Sequence, residues 1–155
     1  MKPLPCFFIF LLLIGVSCSQ SEKPNPAKNM SSTNPVVYFE IPVNDLERAV
    51  KFYSAVFNFS FDKEIIDGYE MALFPFEEKN SGITGALAKG EVYKPSKNGV
   101  IIYFKTENID QTLEKAVQYG GSVLYPKRTD EKYSFAVAEL EDSEGNRIAL
   151  HETVK

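Results

Sequence analysis

The feature that most limits what this 155-residue chain can fold into is a repetition inside it. From Val36 onward it reads as two halves in register: Tyr38 falls on Ile101 and Gly82 on Gly145, each 63 positions later by the difference of the two numbers. The endings "GITGALAK" and "GNRIALHE" share their glycine and an Ala-Leu pair at that spacing. Self-similarity at a fixed offset means that one supersecondary unit is used twice, so the fold must be two copies of whatever one half forms.

Each half reads as strand, helix, three strands. In "VVYFEIPV", Val37, Phe39, Ile41 and Val43 alternate with Tyr38, Glu40 and Pro42, the period of a half-buried strand. Asn44 or Asp45 then caps a helix whose apolar residues Leu46, Ala49, Val50, Tyr53, Val56 and Phe57 recur at helical spacing. Strands are expected over 59–66 and 69–74, around an "IDGY" turn, and over 83–88. The second half repeats the order with the strand "GVIIYFKT", a helix capped by Asn108 that carries Ile109, Leu113, Ala116 and Val117 and stops at "YGGS", and strands over 123–126, 135–140 and 147–152. The expectation is an α+β domain over 36–155, with βαβββ modules at 36–89 and 99–152 joined by a linker at 90–98.

The first residues are different in kind. "MKPLPCFFIFLLLIGVSC" has Lys2, an apolar run over 6–14, small residues Gly15 and Ser17, and then Cys18, which is the pattern of a secretory signal peptide over 1–17. The run is too short to span a bilayer, which takes roughly 20 apolar residues. The cysteine after "GVS" resembles the lipobox of bacterial lipoproteins, with Gly15 where leucine is usual. That resemblance implies lipidation of Cys18 and a lipid-anchored protein of the bacterial cell envelope. Residues 18–35 are rich in Ser, Pro, Asn and Lys and have no apolar period, as expected of a tether. With Cys6 removed and Cys18 acylated no free thiol remains, which excludes disulfides, a thiolate nucleophile and cysteine metal sites. A net charge of −4 without any basic stripe excludes nucleic acid as a partner.

The stretches "YFEIPVNDLERAVKFYSAVF", "GALAKGEVYKPSKNG" and "EDSEGNRIALHE" resemble the vicinal oxygen chelate superfamily, which includes glyoxalase I, bleomycin-resistance and fosfomycin-resistance proteins and extradiol dioxygenases. The resemblance covers about 36–152. It implies paired βαβββ modules whose sheets curl around a cup, within one chain or swapped between the two chains of a homodimer. In that family a divalent metal sits in the cup, held by a residue of the first and the last strand of each module. Carried over residue by residue, the four positions are Tyr38, Ala86, Ile101 and Ala149. Three have no donor atom, and a phenol with an ordinary pKa near about 10 is a poor ligand for a lone divalent ion. The expectation is therefore no metal cofactor.

Strand parity points to the same face independently. Ile148 and Leu150 should pack on the helices, which leaves Ala149 and His151, the only histidine, on the opposite side. The same alternation puts Tyr38 with Glu40, Ala86 with Ala88, and Ile101 with Tyr103 on the cup lining. An apolar centre with a few polar groups suits a small organic ligand, with Glu40 and His151 as the candidates for orienting it or moving a proton. The acidic stretch "ELEDSEG" lacks EF-hand spacing and reads as a charged hairpin turn, and the lysines of "YKPSKNG" as solvated linker residues. Three functions follow: a lipid-anchored binder of a small organic molecule; a lyase, isomerase or dioxygenase-type enzyme with a displaced metal or a Glu40/His151 acid–base pair; or an envelope interaction module.

Overall fold

A computed structural model describes residues 34–77 and 82–154. The signal peptide, Cys18 and nearly all of the tether lie outside the described residues. The elements are β1 (Tyr38–Val43), α1 (Leu46–Phe57), β2 (Asp62–Ile66), β3 (Tyr69–Leu73), β4 (Thr84–Lys89), β5 (Tyr103–Lys105), α2 (Ile109–Gln118), β6 (Ser122–Asp130), β7 (Phe135–Glu141) and β8 (Arg147–Thr153). They form two βαβββ modules, each with a four-stranded mixed sheet, ordered β1-β4-β3-β2 and β5-β8-β7-β6.

Local chemistry sets the helix ends. The Asp45 side chain accepts the Arg48 N–H at 3.0 Å and the Asn108 side chain accepts the Gln111 N–H at 3.0 Å, each satisfying a first-turn donor that has no partner inside its helix. Asn58 ends α1 in the left-handed region at φ 59°. Register confirms the repeat: β1 and β4 run parallel with Glu40 opposite Ala86, β5 and β8 run parallel with Tyr103 opposite Ala149, and both pairs differ by 63 positions.

The helix-facing sides of both sheets share one core. Ile41, Val43 and Leu87 of the first module join Leu140, Ile148 and Leu150 of the second, with Phe52, Tyr53, Ile109 and Leu113 from the helices. Each fully buried side chain of this size stabilises the fold by about 1.5–3 kcal/mol. An aromatic cluster closes one end: the Phe104 ring lies 4.8 Å from Phe57, 6.2 Å from Phe59 and 6.0 Å from Phe74.

Two expectations need correction. The strand expected from 59 begins at Asp62, because Asn58 turns the chain and Phe59 and Phe61 enter the aromatic cluster instead. The strand expected over 99–106 shrinks to Tyr103–Lys105, after Gly99 at φ 121° and a largely exposed Val100. The acidic stretch forms the expected turn, between β7 and β8, and its Asp142 and Glu144 are buried. Glu144 accepts the N–H groups of Asn44 and Asp45 at 3.0 Å each, and Nε and Nη2 of Arg48 at 2.7 and 2.9 Å. Asp142 accepts the Tyr53 hydroxyl at 2.8 Å and three N–H donors from Glu144 and Asn146. Burial holds the Asp142 carboxyl above its ordinary range despite these bonds, and pushes the Tyr53 hydroxyl well above its own. The second module thereby caps the first helix of the first.

Candidate functional site

On the outer face of the first sheet, away from the helices, Tyr38 and Glu40 project from β1 and Ala86 and Ala88 from β4. Glu40 is exposed, and its Oε2 accepts a 2.8 Å hydrogen bond from the hydroxyl of Tyr93. Tyr93 belongs to the linker, which therefore folds back onto the sheet instead of only spanning the modules. Its ring meets Tyr69 edge-on at 5.3 Å. Gly90 permits this, since a Cβ there would lie 2.3 Å from the Tyr69 ring. The hydrogen bond to the Glu40 carboxylate, with burial a lesser cause, pushes the Tyr93 phenol up to about 12.

On the outer face of the second sheet, Tyr103 lies opposite Ala149 and Lys105 opposite His151. The His151 ring stacks on Phe135 at 5.3 Å. Glu40 is thus engaged by Tyr93, and His151 by Phe135; no hydrogen bond joins the two candidates among the described residues. Ala86 and Ala149 are both fully buried, so they are floor beneath their neighbours rather than contact surface. Both linker lysines are exposed, as expected; Lys97 also pairs with Glu141 at 2.7 Å, and Lys94 borders a cavity of about 180 Å³ with Glu40 and Arg147.

The larger apolar cavity, about 610 Å³, lies at the seam between the modules. It is lined by Ile101 and Tyr103, which the sequence singled out, and by Phe39, Phe59, Phe74, Pro75 and Ile83, which it did not. Volume and lining suit a small organic molecule. Phe39 has the opposite strand parity from Tyr38, so alternation assigned it to the core; the density of phenylalanine around 57–61 was the available signal.

The metal positions implied by the resemblance do not fit a divalent ion. Tyr38 offers one phenol, held above its ordinary pKa by burial and the nearby Glu40, and Ala86, Ile101 and Ala149 offer nothing. Among the described residues no three His, Cys, Asp or Glu side chains converge as such a centre requires.

A family model described as "Glyoxalase/Bleomycin resistance protein/Dioxygenase superfamily" matches residues 36–150. The chain belongs to that superfamily. Solved structures share the fold at low identity. Hypothetical protein SA1046 from S. aureus is 21% identical with a TM-score of 0.56, over 77% of this chain and 97% of that one. A glyoxalase/bleomycin resistance protein/dioxygenase family enzyme from Burkholderia phytofirmans PsJN is 17% identical with a TM-score of 0.61, over 76% and 97%. Glyoxalase I from Zea mays is 20% identical with a TM-score of 0.60, and 76% of this chain spans 46% of that enzyme. No curated protein sequence matches. As a superfamily member, this chain keeps the two modules and their matching register.

Proposed function

We infer that this chain is an exported, lipid-anchored superfamily member that binds a small organic molecule at the module seam without a divalent metal. The observation that carries the reading is the aromatic-walled cavity of about 610 Å³, which takes in Ile101 and Tyr103. The donor-poor set Tyr38, Ala86, Ile101 and Ala149 supports the metal-free part, and the signal-like segment ending at Cys18 supports export and anchoring. An acid–base role for Glu40 with His151 draws no support from the geometry, since each side chain is engaged by a different neighbour.

The test is a thermal-shift screen of the full chain against small aromatic and aliphatic molecules, since a ligand that binds only the native state raises the melting temperature. The expected result is a set of stabilising compounds whose effect is lost in Ile83→Asp, a substitution at the exposed rim of the cavity. A broad screen with no stabilising compound would refute the reading.

A second reading concerns assembly. Tyr38 and Tyr103 stand on the outer sheet faces with 42% and 52% of their surface exposed, and exposed aromatics on two sheet faces suit pairing with a second copy. Sedimentation equilibrium tests this: a homodimer that Tyr38→Glu or Tyr103→Glu dissociates is expected, and a monomer at all concentrations would contradict it.

A further inference from the structure

We propose that the ligand of the seam cavity is an anionic amphiphile, a small carboxylate with an apolar body, and that Lys105 is its counter-charge. The proposal rests on the reading of that cavity as a ligand site and adds the chemical class.

The walls come from Phe39, Phe59, Phe74 and Ile83, so whatever fills the cavity must bring an apolar surface of its own. Among the described residues Lys105 is the one charged residue lining it. Most exposed lysines are simply solvated. Lys63, Lys89, Lys97 and Lys127 are matched with carboxylates, whereas Lys105, like Lys51, Lys94, Lys115 and Lys132, has no carboxylate partner among the described residues. What sets Lys105 apart is its place: it lies where two cavities meet, because Lys105 and Phe59 line both the apolar seam cavity and a neighbouring one of about 470 Å³. Tyr103, two residues earlier on the same face of β5, adds a phenol donor to the same rim.

An ammonium at the edge of an aromatic wall is screened less than one on open surface, so it attracts an anion whose body displaces water from that wall more strongly than an anion without one. The site should therefore prefer a medium-chain or aryl carboxylate to the matching alcohol, which lacks the charge, and to acetate, which lacks the body.

The experiment is isothermal titration calorimetry of the full chain with octanoate, octan-1-ol and acetate, using the wild type, Lys105→Met and Ile83→Asp. Octanoate is expected to bind about tenfold tighter than octan-1-ol, a difference of about 1.4 kcal/mol. Acetate is expected to give no heat of binding. Lys105→Met should weaken octanoate about tenfold and leave octan-1-ol unchanged, and higher salt should weaken octanoate alone. Circular dichroism melts confirm that both variants fold, which is expected because both positions are exposed. Equal binding of acid and alcohol, with no effect of Lys105→Met, would overturn the proposed class while leaving the cavity as a ligand site. Binding of neither compound would overturn the proposed class, and the cavity as a ligand site falls with it when the broad thermal-shift screen also finds no stabilising compound; octanoate binding that survives Ile83→Asp would place the ligand elsewhere and overturn the proposal.

Discussion

The contact between Arg48 and Glu144 makes an unequal prediction about its two partners. The Glu144 side chain is fully buried, while about half of the Arg48 side chain is exposed, at 0% and 52%. Removing the guanidinium by Arg48→Met leaves a buried carboxylate without its cation. Breaking a buried pair in this way costs about 3–5 kcal/mol when nothing else holds the remaining charge. Here the N–H groups of Asn44 and Asp45 at the start of α1 remain on that carboxylate, so roughly 2–3 kcal/mol is expected. Glu144→Gln removes the buried charge itself and keeps an acceptor for those N–H groups. The guanidinium it strands faces water, and the expected loss is about 1 kcal/mol. At roughly 2–4 °C per kcal/mol for a chain of this size, melting should fall by about 5–10 °C in Arg48→Met and by a few degrees in Glu144→Gln. The double variant should be more stable than the sum of the two losses implies, because it contains no uncompensated buried charge. Scanning calorimetry at pH 7 measures all four proteins. If Glu144→Gln costs as much as Arg48→Met, or the two losses simply add, the carboxylate is not held as a buried charge and the reasoning fails.

Three further predictions concern other parts of the domain. Hydrogen bonds from the Ile109 N–H and Lys127 hold the Glu152 carboxyl below its ordinary 4.5, so its contribution is present above that value and is lost as pH falls through the lower folded-state value. Melting curves should therefore separate wild type from Glu152→Gln at pH 7 and converge toward pH 3; a gap that widens on acidification would contradict the assignment. Carbon NMR of labelled tyrosine should show the Tyr93 phenol titrating at about 12, moving down toward its ordinary 10.0 in Glu40→Gln; an unmoved Tyr93 would remove the carboxylate as the cause. Gly85→Ala would put a Cβ 2.3 Å from the Phe39 carbonyl oxygen and 2.8 Å from its ring, in backbone that cannot yield, so it should cost about 1–3 kcal/mol or more in chemical denaturation and displace a cavity wall. A neutral Gly85→Ala would show that β1 and β4 are not so closely apposed.

What the sequence revealed and what it hid divide along physical lines. The two modules and their helix starts, at Asn44 or Asp45 and at Asn108, were legible because they depend on residues close together in the chain, and the offset of 63 because the same pattern recurs. Period-two alternation also kept Glu40, Tyr103 and His151 apart from the helix-packed core. It could not show that Tyr93 returns to Glu40, or that Glu144 leaves its own hairpin to hold α1, since these contacts join residues 53 and 100 positions apart. The seam cavity escaped for a different reason. It lies in a gap between sheet edges rather than on a strand face, so its walls mix both parities, with Phe39 from the helix side and Tyr103 from the outer side.

The central claim is that this superfamily member holds an organic ligand without a divalent metal. It is tested most directly by titrating the full chain calorimetrically with octanoate after exhaustive chelation, and again after adding back zinc, nickel or manganese. The account predicts the same affinity in every condition. Binding that disappears on chelation and returns with one of the metals would contradict it.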